Sequence, residues 1–209
     1  VEQGSLHLEK KEGKLQNLID RIDEVGRDSF HGSSCIGHTR WATHGRPNDV
    51  NAHPHRSYDG KVAIVHNGII ENFSTLRAEI EAAGIELQSE TDSEVAAHLL
   101  ALAYNEGETA GDFQASALKV LSRLDGAFTV LFVHDDHPGT IVAGRRSTPL
   151  IVGVGEGEMF LGSDVAAFID RTKNAVELGQ DNAVVITADS YDIYDFAGNP
   201  VEGKPFTID

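Results

Sequence analysis

Hydrophobic residues recur at helical spacing in four stretches of the chain. The first follows Gly13 and carries Leu, Ile and Val every three or four positions until Gly26, a residue type that commonly ends a helix. A second apolar face carries Leu76 and Ile80 and ends at Gly84. The pattern predicts four amphipathic helices, over residues 15–25, 73–83, 95–105 and about 113–124. The segment from Thr91 to Glu94 has the spacing of a capping box and predicts the start of the third helix.

Shorter apolar runs predict strands. Residues 35–42 form the first run, and residues 61–66 form a second run after an Asp-Gly turn. From residue 126 onward, six β-branched or aromatic runs are separated by Gly, Pro, Asp and Asn, with one short helix near 165–169. Because helices lie between early and late strands without strict alternation, the pattern predicts an α+β fold with antiparallel sheets packed between helices. The composition of residues 198–209 suggests a domain edge.

Composition and charge narrow the class of protein. The chain has 209 residues, 40% of them hydrophobic and 24% charged, which is ordinary for one globular domain. A net charge of −16 makes nucleic acid and anionic membranes poor partners, and no apolar run is long enough to span a bilayer. The single cysteine excludes an intrachain disulfide and agrees with a cytoplasmic location. The start at Val1, inside a polar half-strand, leads us to expect that an upstream segment is missing.

The stretch from Cys35 to His55 is the densest in reactive side chains. Its histidines could bind zinc, but they lack the spacing of a known zinc motif, so we expect no metal and favour packing roles. Arg40 beside Trp41 is suited to holding a carboxylate under an aromatic cover, although a lone arginine is usually a solvated surface charge.

Two further motifs each allow two interpretations. Asn67-Gly68 is the commonest hairpin turn, yet the Asn amide and the Gly N–H could also stabilise an oxyanion. Asp92 could favour the start of a helix electrostatically or bind a substrate ammonium. In the second interpretation, Arg40 and Asp92 together would grip the head group of an α-amino acid.

Four motifs in this order and spacing, HTRWATHG, NAHPH, HNGIIEN and SETDSE, closely resemble the glutaminase domains of the glutamine:fructose-6-phosphate amidotransferases. The resemblance extends from about Gly13 to the end of the chain. It implies an N-terminal nucleophile hydrolase fold, a four-layer αββα sandwich with two antiparallel sheets. It also implies that L-glutamine is hydrolysed without a cofactor, and that ammonia passes to a sugar-phosphate isomerase domain of the same protein. The phosphoribosyl pyrophosphate amidotransferases, which share this fold, rank second.

The resemblance also implies roles for single residues. Arg40 corresponds to the residue that binds the glutamine carboxylate, Asp92 to the one that binds the α-amino group, and Asn67 with Gly68 to the oxyanion hole. The loop that closes over bound glutamine corresponds to residues 40–48 and contributes three further residues: Trp41, Thr43 and His44.

The nucleophile of the resembled family is an N-terminal cysteine whose own α-amine acts as the base. Val1 stands at the start of this sequence, so we expect residues 1–209 alone not to turn over glutamine. Cys35 is internal, and we expect it to be a buried structural residue. Two other functions stay open: a non-catalytic module that binds glutamine or glutamate, and a metal-dependent hydrolase built on the histidines.

Overall fold

Two antiparallel sheets form the centre of the protein. The structure is a computed structural model that describes residues 5–40 and 45–209. In this part of the chain the strands are β1 (His55–Arg56), β2 (Val62–Ile70), β3 (Gly126–His134), β4 (Ile141–Arg146), β5 (Ile151–Val154), β6 (Met159–Gly162), β7 (Asn174–Glu177), β8 (Asn182–Ile186), β9 (Tyr191–Asp195) and β10 (Lys204–Thr207). The first sheet has the order β1-β2-β3-β4-β8-β9 and the second the order β10-β7-β5-β6.

Three helices cover the outer face of the first sheet. The described helices are α1 (Leu15–Val25), α2 (Phe73–Ala82), α3 (Glu94–Asn105) and α4 (Phe113–Arg123), with 3₁₀ turns at Arg27–Ser29 and Val165–Ala167. Buried residues of α2, α3 and α4 pack against alternate residues of β2, among them Val62 and Ile64. The intervening Ala63 faces the second sheet instead, because successive side chains of a strand point to opposite faces.

The second sheet packs on the other face of the first through its own apolar cluster. Leu150, Val152 and Val176 meet Ala63 and Val133 there. On the far side of the second sheet, Phe168 follows the 3₁₀ turn Val165–Ala167 and stacks on Phe160. The two predicted antiparallel sheets are therefore present, with helices on the first sheet and the 3₁₀ turn and Phe168 on the outer face of the second.

The four predicted helices are confirmed to within one or two residues at each end. The capping box is wrong in detail: Ser93 lies at the N-cap position and its side chain makes no capping hydrogen bond. Instead, the Glu94 carboxylate accepts N–H bonds from Gln88 and Ser89. Residues 204–207, within the expected domain edge, form β10 at the edge of the second sheet.

The prediction of a strand over residues 35–42 is wrong for the described part, because residues 31–40 belong to neither sheet. This segment still alternates, with Ile36, His38 and Arg40 half-buried and the residues between them exposed. Cys35 is therefore exposed and not buried as expected. The predicted strand position led us to expect burial, which a strand acquires only when another strand or helix covers it.

None of the described helices is both long and apolar enough to cross a membrane.

Candidate functional site

Asn67 and Gly68 lie inside β2, so the hairpin-turn interpretation is wrong. Asn67 pairs with Thr129 and Gly68 with Phe128 in the β2–β3 ladder. Gly68 has φ +109°, and a Cβ atom there would lie 2.0 Å from the carbonyl oxygen of Ala127. Only glycine can occupy this position without moving β3. The close approach of the β2 and β3 backbones fixes the side-chain directions of Asn67 and Ile69, on either side of Gly68.

Asp92 is buried next to the end of β2. It is 3% exposed, and its Oδ2 accepts a 2.8 Å hydrogen bond from the backbone N–H of Ile70. This bond ties the segment before α3 to the strand that carries Asn67 and Gly68. The position before α3 agrees with both earlier interpretations of Asp92, the helix-start charge and the ammonium ligand.

Glu94 holds the turn that presents Asp92. Its carboxylate accepts bonds from the N–H groups of Gln88 and Ser89 at 2.8 and 2.6 Å and from the Ser89 hydroxyl at 2.6 Å. His98 Nε2 lies 3.1 Å from the same carboxylate. Burial by itself would raise the pKa of Glu94, but the bonds from His98, Ser89 and Gln88 outweigh it and lower the pKa to about 2. The carboxylate is therefore ionised at neutral pH.

Arg40 reaches the site from the alternating segment before the undescribed residues 41–44. Its guanidinium donates 3.3 Å hydrogen bonds to the carbonyl oxygens of Gly45 and Arg46. Asn51 holds the same residues from the other side, because its amide donates to the Arg46 carbonyl oxygen and to the Glu90 carboxylate at 3.0 Å each. The far end of the predicted closing loop is thus fastened to the turn that carries Asp92.

Histidines form the floor of the site. His38 stacks on His53 with 4.2 Å between ring centroids, and His53 lies edge-on to His55 at 4.7 Å. Burial lowers the pKa of His53, with a further contribution from nearby His55. Burial likewise lowers the pKa of His55 to about 3 and the pKa of His66 to about 4. These rings are therefore neutral at physiological pH.

A cavity of about 300 Å³ brings together every described residue of the predicted site, namely Arg40, Asn67, Gly68 and Asp92. Its volume is at the lower end for small-molecule sites, about 300 to 1,000 Å³. A second cavity of about 560 Å³ shares the wall formed by residues 38–40 and His53. The predicted Trp41, Thr43 and His44 lie outside the described residues.

Seven further residues line the smaller cavity without a glutamine-site role predicted from the sequence, namely His38, Thr39, His53, His66, Ile69, Thr91 and Ser93. One signal was available, because His66 directly precedes Asn67 and His38 precedes Arg40 by two positions. A period of two along extended backbone puts His38 and Arg40 on the same side. The contact between His38 and Asn67 joins residues 29 positions apart, and local sequence carries no signal for it.

Ser93 and Cys35 carry side chains that can act as nucleophiles. Ser93 Oγ lies 2.8 Å from His66 Nδ1 and also contacts His53 at 3.4 Å and Asp92 at 3.5 Å. Ser93 lines the cavity but is only 2% exposed, and its hydroxyl is engaged in this buried network. Cys35, the single cysteine of the sequence, lines a separate small cavity with Ile36 and Ala63. Neither residue is presented to the cavity as a nucleophile.

Among the described residues, one His/Asp cluster could offer three ligand atoms to a metal, and it lies away from this cavity. It consists of His134, Asp135 and Asp136 at the end of β3. His134 Nδ1 already accepts the N–H of Asp136 at 3.0 Å, and Asp136 pairs with Lys61. These bonds engage His134 Nδ1 and the Asp136 carboxylate, two of the three groups in the cluster.

A fixed guanidinium, a buried carboxylate and an amide beside a glycine of positive φ can together bind a zwitterionic amino acid with an amide side chain. The fold around them is that of the N-terminal nucleophile amidotransferases. It matches the structure of "glutamine phosphoribosylpyrophosphate (PRPP) amidotransferase from B. subtilis complexed with ADP and GMP" with a TM-score of 0.62 and 24% identity, over 78% of this chain and 35% of that one.

A model of the glutamine amidotransferase domain matches residues 3–192, and the chain belongs to this family. It is 62% identical to glutamine–fructose-6-phosphate aminotransferase (isomerizing) of Mycolicibacterium smegmatis, over 94% of this chain and 32% of the relative. It is 51% identical to the protein of the same name from Leifsonia xyli, over 98% of this chain and 32% of the relative. The chain thus spans about a third of the length of these curated relatives.

Proposed function

We propose that this chain is the glutamine-hydrolysing domain of a glutamine:fructose-6-phosphate aminotransferase. The observation that carries the proposal is that one cavity is lined by Arg40, Asn67, Gly68 and Asp92. The names of relatives at 51 to 62% identity support the aminotransferase. The likeness to the phosphoribosylpyrophosphate enzyme, at 24% identity, supports only the shared fold.

In the proposed complex, the two charged residues hold the two charges of L-glutamine. The Arg40 guanidinium binds the α-carboxylate through paired N–H groups. The Asp92 carboxylate binds the α-ammonium, with its second oxygen held by the Ile70 N–H. This arrangement leaves the side chain of glutamine to extend along the cavity toward β2.

The oxyanion site in this proposal consists of the Asn67 amide and the Gly68 N–H. Attack on the glutamine amide converts its carbonyl oxygen to an oxyanion, which two donors at hydrogen-bond distance stabilise. Removing one such donor costs roughly 100- to 1,000-fold in kcat in enzymes of this kind of chemistry. Trp41, Thr43 and His44 complete the proposal as part of the loop that closes over glutamine and excludes water.

The proposed nucleophile is an N-terminal cysteine in the gene product that contains this chain. Its thiolate would attack the amide carbon of glutamine, expel ammonia and leave a glutamyl thioester, which water then hydrolyses to glutamate. The position of Cys35 away from the cavity supports this, as does the buried hydroxyl of Ser93. The proposal therefore predicts that residues 1–209 by themselves release no ammonia from glutamine. The single cysteine also supports a reducing, cytoplasmic location.

The proposal includes a partner for the released ammonia, a sugar-phosphate isomerase domain in the same protein that converts fructose 6-phosphate to glucosamine 6-phosphate. The length of the relatives supports this, since two thirds of each lies beyond the match to this chain.

The test compares two amides in the natural gene product that contains this chain. L-glutamine carries the α-carboxylate, and 4-aminobutanamide keeps the amine and the amide but lacks that group. We expect Arg40→Ala to lower kcat/KM for glutamine by about 10- to 100-fold, because a hydrogen bond to a charged group contributes about 1.5 to 3 kcal/mol. The same substitution should change hydrolysis of 4-aminobutanamide by less than about threefold, because that substrate makes no such bond.

The matched control is Arg77→Ala, which removes a half-buried arginine paired with Glu81 on α2. This substitution should leave kcat/KM unchanged for both glutamine and 4-aminobutanamide. An equal loss on the two substrates with Arg40→Ala would contradict the carboxylate role. Tight binding of glutamine without any hydrolysis in the natural gene product would instead favour a glutamine-binding module.

A further inference from the structure

His38 contacts the side chain of Asn67, which stabilises the oxyanion in the proposed function. Its Nε2 lies 2.7 Å from Oδ1 of Asn67. Asn67 itself is exposed at the cavity, so the rest of its amide group faces the space that a substrate would fill. The inference drawn from this contact rests on the proposed function.

An asparagine can serve as an oxyanion donor in only one of its two amide orientations. Nδ2 carries two N–H donors, whereas Oδ1 is an acceptor that would repel an oxyanion. A 180° turn of the amide exchanges the two atoms at almost no cost in shape. Some other group must therefore hold Oδ1 away from the substrate, and a hydrogen-bond donor on the protein side can do this.

The surroundings of His38 determine which ring nitrogen carries its proton. Nδ1 is buried and makes no hydrogen bond of good geometry among the described residues, although the His66 backbone lies close enough to raise the pKa of the ring. A proton there would be a buried, unpaired donor, which costs about 1 to 3 kcal/mol. Burial also lowers the pKa of His38, so the ring is neutral at pH 7. The one proton therefore resides on Nε2, where the Asn67 oxygen accepts it.

The imidazole is itself held in place. It stacks on His53 at 4.2 Å with 25° between the ring planes. His53 in turn is fixed because its Nδ1 accepts the backbone N–H of His66 at 3.2 Å. His66 directly precedes Asn67 in β2. The backbone of this strand therefore holds His53, and His53 holds the His38 ring beside the Asn67 oxygen that accepts its proton.

We infer that His38 is a positioning residue, which donates from Nε2 to Oδ1 of Asn67 and so turns the Asn67 Nδ2–H groups toward the amide oxygen of the substrate. His38 makes no bond to the substrate and transfers no proton in this role. Its effect passes through Asn67. The Asn67 amide is thus preorganised before substrate binds, which is the condition under which an oxyanion donor contributes to rate.

The experiment measures glutamate release from L-glutamine by the natural gene product that contains this chain. Asn67→Ala should lower kcat by about 100-fold or more. His38→Leu keeps the bulk of the ring and removes the donor, and it should lower kcat by about tenfold with KM changed less than threefold, because only part of the donor's effect is lost. His38→Gln places an amide N–H near the position of Nε2 and should restore most of the lost kcat.

The decisive variant carries both His38→Leu and Asn67→Ala. If His38 acts only through Asn67, the double variant is no slower than Asn67→Ala alone, since coupled residues are not additive. If the fold-losses in kcat of the two single variants multiply in the double variant, the inference is overturned. A normal kcat in His38→Leu would also overturn it. If His38→Leu does not fold, His38→Asn replaces it, because its shorter amide cannot reach Asn67.

A matched control separates a general loss of packing from the proposed role. His134→Leu also removes a buried histidine, but His134 pairs with Val62 at the opposite end of the β2–β3 ladder, and it should leave kcat unchanged. A wild-type kcat in Asn67→Ala would refute the proposed oxyanion site and the inference with it. A slow Asn67→Ala combined with multiplying losses would refute the inference alone.

Discussion

At the scale of single residues, Gly68 shows how backbone geometry prepares a site. Its φ of +109° and its contact with Ala127 exclude any side chain. The strand therefore keeps its pairing with β3, while Asn67 just before it stays exposed at the cavity. The same residue that a sequence pattern assigns to a turn is required here by the close approach of two strands.

We predict that Gly68→Ala strongly destabilises the protein. Its Cβ would meet the Ala127 carbonyl oxygen at 2.0 Å, and relieving such overlap typically costs about 1 to 3 kcal/mol in addition to the cost of positive φ. Gly107→Ala is the control, because Gly107 has φ +89° and no atom within 4 Å of the added Cβ. Urea unfolding should show a larger loss for Gly68→Ala. Equal losses would mean that only the backbone angle matters.

At the scale of elements, the helices begin in different ways. α4 begins at a side-chain cap, since Asp112 accepts the N–H of Ala115 at 2.9 Å. α3 begins at a turn held by Glu94, so its start is stabilised from within the site. Changes near the start of α3 therefore act on the cavity, whereas changes near the start of α4 act on stability alone.

We predict that Asp112→Ala lowers the free energy of unfolding by about 1 kcal/mol, because it leaves a helix N–H without its acceptor. Asp112→Asn keeps a side-chain oxygen and should cost only a few tenths of a kcal/mol. Thermal or urea unfolding measures both. If Asp112→Ala is as stable as the unchanged protein, water accepts the Ala115 N–H as well as the Asp112 side chain does.

At the scale of the whole molecule, buried neutral histidines lie at both ends of the β2–β3 pair. His53, His55 and His66 surround the site, and His134 lies at the other end beneath Tyr104. Burial lowers the pKa of each, to about 4 for His66 and His134. The unfolded chain binds protons at these histidines near pH 6.5, but the folded protein does not.

We therefore predict that the protein loses stability as the pH falls from 7 to 5.5. In this window the unfolded state takes up protons and the folded state does not, so each such histidine removes about 1 kcal/mol. His134→Gln should reduce the loss by about that amount. The measurement is urea unfolding at the two pH values. An unchanged pH dependence in His134→Gln would mean that His134 titrates normally in the folded protein.

Glu94 contributes in a separate, more acidic window. Its folded pKa of about 2 lies below the ordinary value of 4.5. Its stabilising bonds are thus fully present above about pH 4.5 and are lost as the pH falls toward 2.

The sequence by itself determined the helices, the antiparallel strands after residue 126 and the family, because these depend on local periodicity, on turn residues and on four short motifs. It also named Arg40, Asn67, Gly68 and Asp92, whose residue types suit the chemistry. Only the tertiary structure decided that Asn67-Gly68 lies within a strand, that Cys35 is exposed and that His38 meets Asn67. These features depend on which distant segment packs beside each residue, and contacts across 29 positions or across two strands leave no trace in local spacing.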